Sequence, residues 1–377
     1  MYFITKRLNI IIMKPRSFFN FSIVLLLICG CSNDSDTNEN DIPAPTGMFF
    51  PQIDGNDWEV VTPSQLEWNI DKEEELYDYL ESTDTKGFIV LKNGRIVIEK
   101  YFNGHNQNAS WTWFSAAKSL TATFVGIAQD EGLLNINNKT SDYLGQNWSQ
   151  LTTEKQDLIT VKHHMTMTTG LTPHLGEFAP WVCTLPICLE YTADAGTIWA
   201  YHQGAFMLLQ EMITQSSGMS FQEYSKIKIA DKIGMNGNWT SSLGLNIYNS
   251  STRSMARFGL LMLNQGTWDG SAVVSENFFN EMTNTSQDIN TSYGYLWWLN
   301  GKENVVGTTT TISLPGPLVP NAPNDMFAAL GANDQKIYVV PSKGLVIVRC
   351  GESAGEMQLG PSSYDNELWG KINDVIN

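Results

Sequence analysis

Ser115 and Lys118 stand three residues apart in the run Trp113-Phe114-Ser115-Ala116-Ala117-Lys118, a spacing that can do chemistry neither residue does alone. If the run opens a helix, positions i and i+3 share a face, and the Lys118 amine reaches the Ser115 hydroxyl. The helix N-terminus adds partial positive charge where an oxyanion would form. Such a pair is a nucleophile with its base, and the chemistry is acyl transfer through serine. A lysine at its ordinary pKa of about 10.4 is a poor base at neutral pH, so burial or nearby positive potential must depress it. The bare pattern is common, and on its own an exposed serine beside an exposed lysine is the simpler reading.

The flanking sequence supplies the helix. From Ser115 to about Glu131 apolar or small residues recur at Ala117, Leu120, Thr121, Phe124, Ile127 and Ala128, and Gly132 stops the run. Ahead of it, Glu73 to Leu80 has helical composition. Gly87 to Glu99 reads as two β-rich runs around Asn93-Gly94, a strong hairpin signal. The middle, about 135–282, reads as mostly helical, with clear helices at Gly204 to Gln215 and Ser251 to Leu263. The end returns to strands at Tyr293 to Leu299, Met326 to Leu330, Lys336 to Val340 and Leu345 to Cys350, and closes with an amphipathic helix at Asn366 to Ile376. The expected architecture is α+β: first and last segments build an antiparallel sheet flanked by helices, and the middle adds a helical subdomain.

With 377 residues, 42% apolar and 11% aromatic, the chain can bury one large core or two unequal ones, which excludes a disordered or fibrous protein. Its net charge is −16, and the only charges before residue 31 are the basic Lys6, Arg7, Lys14 and Arg16, so the remainder is more acidic still. That surface repels nucleic acid and anionic lipid, and a small-molecule site is the better expectation. Basic residues through Arg16, an apolar run from Phe18 to Ile28 and the tetrad Ile28-Cys29-Gly30-Cys31 make residues 1–30 a signal peptide ending in what resembles a bacterial lipobox. Met13 is an alternative start. Cys31 would carry the lipid, residues 31–60 would form a linker, and 61–377 the folded domain, held in the cell envelope by a lipid anchor. In such an oxidising setting Cys183 and Cys188 can close a small loop as a disulfide, or stay as two buried thiols. The five histidines, His105, His163, His164, His174 and His202, form neither an HExxH arrangement nor a cluster with a CxxC pair, so neither a metal nor another cofactor is expected.

Taken together, several runs resemble the β-lactamase-related serine hydrolases: class C β-lactamases, DD-peptidases, related esterases and nylon-oligomer hydrolases. Trp113 to Thr121, with Gly126-Ile127-Ala128 and Asp130 to Ile136, is similar to that family's nucleophile helix and the loop after it. Ile159 to Leu171 resembles its Thr-Ser-Gly-Leu type turn, Ala195 to Ala205 its Tyr-x-Asn element, and Ser254 to Gly266 a helix-turn. Tyr293 to Trp298 and Gln335 to Pro341 resemble its closing strands. The resemblance spans about residues 85 to 375.

The resemblance implies a β-lactamase/DD-peptidase-like fold and roles for individual residues. Ser115 would form the acyl-enzyme, Lys118 and Tyr201 would share the proton transfers, and the N–H groups of Ser115 and Ala332 would form the oxyanion hole. Gln203, Gly331 and His202 would line the substrate site, His202 as pocket wall. Two departures matter. Gln203 stands where the family has Asn, and Ala329-Leu330-Gly331 stands where it has Lys-Thr-Gly or His-x-Gly, which removes a cationic partner for a substrate carboxylate. The expected activity is therefore hydrolysis of a carboxylic ester or small linear amide or peptide. β-Lactamase or DD-peptidase action, or a non-catalytic binding protein reusing the cleft, are the alternatives.

Overall fold

The computed structural model describes residues 44–242 and 244–377; the expected signal peptide, Cys31 and the first part of the linker lie outside them. Strands β1 (Thr85–Lys92) and β2 (Arg95–Tyr101) form the expected hairpin, turning at Asn93 (φ 46°) and Gly94 (φ 82°). Left-handed backbone at both turn positions matches the twist of the strands, and asparagine and glycine tolerate it. Gly94 has a second reason to lack a side chain, since a Cβ there would lie 1.9 Å from the Phe49 carbonyl oxygen.

Four more strands complete an antiparallel six-stranded sheet: β3 (Trp298–Leu299), β4 (Phe327–Gly331), β5 (Gln335–Val340) and β6 (Leu345–Gly351), in the order β2-β1-β6-β5-β4-β3. The two ends of the domain meet where β1 pairs with β6, from Thr85 opposite Gly351 to Lys92 opposite Leu345.

Helices cover both faces, which is why β5 is buried along its whole length. Successive strand residues point to opposite faces. Ile337 faces helix α4 (Thr252–Leu263; helices α1 to α3 are introduced below), where Gly259 admits the close approach: a Cβ on it would sit 2.4 Å from Val346 Cγ1 and 3.1 Å from Ile337 Cγ2. Lys336 and Tyr338 point the other way, toward helix α5 (Ser363–Ile376), where they meet Asp365 at 2.9 and 2.5 Å. That buried pair explains how a strand containing a lysine still belongs to the core. Helix α1 (Glu73–Ser82) packs beside α5.

Helices α2 (Ala117–Asp130) and α3 (Gln203–Ser217) pack on each other, and α3 also meets the short helix Val161–Met165. His164 ties that contact together: its Nδ1 donates to the Ala205 carbonyl and its Nε2 accepts from the Thr140 hydroxyl, both at 2.8 Å. Burial lowers its pKa to about 4, so the ring is neutral. The α+β organisation expected from the sequence is present.

Two stretches differ from expectation. Within the helical middle, Asn238–Ser242 and Leu245–Ser250 are strands that pair with each other, Leu245–Ser250 also pairing with Trp111–Thr112, and α4 lies on the large sheet. From Tyr293 to Leu299 only Trp298–Leu299 is strand. Leu296 has φ 58°, its N–H donates to Met165 O at 3.0 Å, and its carbonyl accepts from Ser119 Oγ at 2.7 Å. Gly294 is pressed on the Met282 carbonyl, 2.2 Å from where its Cβ would be. The segment is an irregular clamp on α2 whose aromatic composition imitates a strand. Both Trp297 and Trp298 are buried.

Candidate active site

Ser115 sits in a single 3₁₀ turn, Phe114–Ala116, that runs directly into α2. The turn is placed from both sides. Trp113, fully buried, donates its N–H to Tyr248 O at 2.9 Å and its indole N–H to Ser250 Oγ at 2.7 Å. On the other side β4 ends at Gly331, whose missing side chain lets the strand run against the turn: a Cβ there would be 2.4 Å from Trp113 O and 3.0 Å from Ala116 N. Gly331 thus backs the turn. Phe114 has φ 47°, an uncommon conformation for a bulky residue, and such strain persists only where the surroundings impose it.

Lys118 lies one turn on, as the i+3 spacing predicts, with Nζ 2.9 Å from Ser115 Oγ and 2.5 Å from Gln203 Oε1. It is 3% exposed, and burial holds its pKa well below the ordinary lysine range. Among the described residues no carboxylate forms an ion pair with it. The Tyr201 and Phe206 rings, with centroids 4.8 and 4.6 Å from Nζ, favour the cation. Each such contact contributes about 0.5–2 kcal/mol, against several for lost hydration, so the free amine dominates. An uncharged amine can accept the Ser115 proton.

Tyr201 is 1% exposed, with its ring stacked on Trp298 at a centroid distance of 6.3 Å and its carbonyl accepting from Trp181 Nε1 at 3.2 Å. Burial raises its phenol pKa, opposed by a hydrogen bond with Ser115. It is therefore a neutral phenol beside a neutral amine. His202 is equally buried and caps α3, Nδ1 accepting from Ala205 N at 3.1 Å; burial lowers its pKa to about 3. The structure places it behind the wall, in the scaffold, whereas Gln203 and Ala332 line the cleft with Ser115 and Lys118.

That cleft measures about 480 Å³. Its walls include Phe178, Trp181, Phe206, Leu245, Ile247 and Met357, contributed by loops and strand ends far apart in the chain. Phe206 falls in the run Ala195 to Ala205 extended by one helix residue; the other walls carry no signal in the sequence. Cys183 and Cys188 are joined by a disulfide, Cα–Cα 5.9 Å, just after Trp181. The Cys183 carbonyl lies 2.2 Å from where a Gly204 Cβ would be, which sets this loop against the start of α3. Among the described residues no group of three or more His, Cys, Asp or Glu is arranged to hold a metal ion.

A half-buried serine beside a buried lysine at the head of a helix, flanked by an antiparallel sheet and a helical layer, defines the class. The chain belongs to the Beta-lactamase family, whose model matches residues 82–357. An uncharacterized protein of Alkalihalophilus pseudofirmus is 25% identical over 326 residues, covering 76% of this chain and 88% of the relative. Among solved structures, a Bacillus anthracis protein provisionally named a 6-aminohexanoate-dimer hydrolase superposes with a TM-score of 0.62 at 20% identity, over 89% of this chain and 87% of that one. A family VIII carboxylesterase superposes with a TM-score of 0.57 at 16% identity, over 80% and 97% of the two chains. The fold is that of a serine hydrolase family that includes esterases, amidases and penicillin-binding proteins.

Proposed function

We propose that the protein hydrolyses a carboxylic ester or a small linear amide through an acyl-serine intermediate. The observation that carries this reading is the 2.9 Å contact between Ser115 Oγ and a buried lysine amine with no carboxylate ion-paired to it among the described residues. In the reaction so read, Ser115 Oγ attacks the carbonyl carbon as its proton passes to Lys118 Nζ. The N–H groups of Ser115 and Ala332 receive the oxyanion. The C–O or C–N bond then breaks, with the Tyr201 phenol protonating the leaving alcohol or amine and the Lys118 ammonium restoring the phenol. Water repeats the sequence on the acyl-serine and releases the acid.

β-Lactams and D-Ala-D-Ala peptides present a carboxylate, and among the described residues Lys118, committed to Ser115 and Gln203, is the one cation in the cleft wall. Ester or amide substrates without that group are therefore favoured. We also propose that Cys31 is diacylated and anchors the domain to an envelope membrane, which metabolic labelling with a fatty acid, lost in Cys31→Ser, would test.

Hydrolysis of a nitrophenyl butyrate by the purified protein and its Ser115→Ala variant tests the central reading. A fall of at least about a hundredfold in the variant is expected. Equal rates would sink it and leave a binding protein in its place.

A further inference from the structure

Resting on the reading of Ser115 as nucleophile, we infer that the substrate carries an uncharged, unbranched apolar chain that lies along the cleft between Phe178, Trp181, Leu245, Ile247 and Met357. Three observations converge on this. The cleft volume of about 480 Å³ exceeds what the reacting group needs; at the ~30 Å³ a water molecule occupies in the liquid it holds about sixteen heavy atoms, room for a chain of about eight carbons beside the scissile group and its other substituent.

Charge and polarity narrow the chemistry. Among the described residues, the formal charges in the wall are Lys118, turned to Ser115 and Gln203, and Glu177. Of the amides in the wall, Asn246 donates to Gln210 Oε1 at 2.8 Å and the Gln203 oxygen is taken by Lys118. The hydroxyls of Ser242, Thr308 and Thr309 reach the wall too, so a single polar group can be met there, whereas a carboxylate-ended chain would meet Glu177 with no compensating cation among the described residues.

The third observation is the mouth. Phe178 and Met357, both lining the cleft, are 52% and 63% exposed. Leu185 and Ile187, on the disulfide-closed loop that follows Trp181, are exposed as well. So are Ile312 and Leu314, shortly after the cleft residues Thr308 and Thr309. Large apolar side chains left in water, on the cleft wall itself and on the segments that continue from it, suit a substrate that covers them.

The test is a pair of ester series kept below their critical micelle concentrations. One lengthens the acyl chain from acetyl to decanoyl on a fixed nitrophenol; the other lengthens the alcohol from methyl to octyl on a fixed short acid. In one arm kcat/KM is expected to climb about fourfold per methylene until the cleft is full. The ω-carboxylate counterpart of the eight-carbon substrate is expected to fall at least about tenfold below the methyl-ended one. Phe178→Ser combined with Met357→Ser, both exposed and so expected to fold, lowers the slope toward about twofold per methylene. Ser115-dependent turnover with a flat or falling slope in both arms overturns the chain and leaves the acyl-serine reading standing. No Ser115-dependent turnover in either arm overturns both.

Discussion

At the scale of single residues, the protonation of Lys118 decides the rate. Its pKa is depressed by burial, so the free amine is present above that depressed value and is lost as pH falls through it. The rate profile should rise with pH along a limb set by the depressed Lys118 value and stay flat above it, because burial raises the Tyr201 phenol. Gln203→Glu tests the assignment with a definite sign. A carboxylate in place of an amide oxygen that lies 2.5 Å from Nζ should raise the lysine pKa by about 1–3 units, moving the limb to higher pH. Gln203→Leu removes an acceptor of the ammonium and should move it lower. An unmoved limb in both variants would mean that Lys118 is not the titrating base. Ser115 and Lys118 are legible in the sequence because a helix turns i and i+3 to one face. Tyr201 is not legible in that way, since it reaches the pair from a loop 83 positions beyond Lys118, and only the family resemblance points to it.

At the scale of elements, the turn from β4 into β5 carries Ala332. Asn333 and Asp334 both have left-handed backbone, φ 55° and 57°, and the turn is held by side chains from its surroundings. Gln335 donates to the carbonyls of Ala332 at 3.1 Å, Asn333 at 2.7 Å and Gly351 at 2.7 Å, and accepts from Gly351 N at 3.1 Å. Arg349, fully buried, donates to the Asn333 and Asp334 carbonyls at 2.9 and 3.2 Å. Gln335→Met keeps the volume and removes the grip. It should lower kcat by about tenfold to a hundredfold with little change in KM, since a misplaced donor weakens the transition state more than the bound substrate. An equal loss in KM alone would assign Gln335 to substrate binding instead. The Asn93-Gly94 hairpin and the helices were readable because turn residues and the helical period are local signals. The stretch Tyr293 to Leu299 was not, because Leu296 and Gly294 take their conformations from contacts with Met165, Ser119 and Met282, none of which is local.

At the scale of the molecule, neutral buried histidines make the fold sensitive to acid. His164 and His202 have pKa values lowered by burial from the ordinary 6.5 to about 4 and about 3. In the unfolded chain both protonate near 6.5, so stability is fully present above that pH and is lost as pH falls toward the folded values. His164 alone accounts for about 3 kcal/mol between pH 6.5 and 4. The urea midpoint should therefore fall over that window, and His164→Gln should flatten the fall while lowering stability at pH 7. A midpoint independent of pH from 7 to 4 would contradict neutral buried rings. The overall α+β order was legible because β-rich runs flank the mostly helical middle. The cleft was not, because its apolar walls come from residues 175–181, 245–247 and 357–359, which only the folded chain brings together.

The central claim, that Ser115 is the nucleophile, is tested most directly by reacting the purified protein with an alkyl fluorophosphonate and mapping the adduct by peptide mass spectrometry. One phosphonyl group on Ser115, absent in Ser115→Ala and slowed at least about a hundredfold in Lys118→Met, is the predicted result. An unlabelled protein, or a label on another residue that survives Ser115→Ala, would contradict the account.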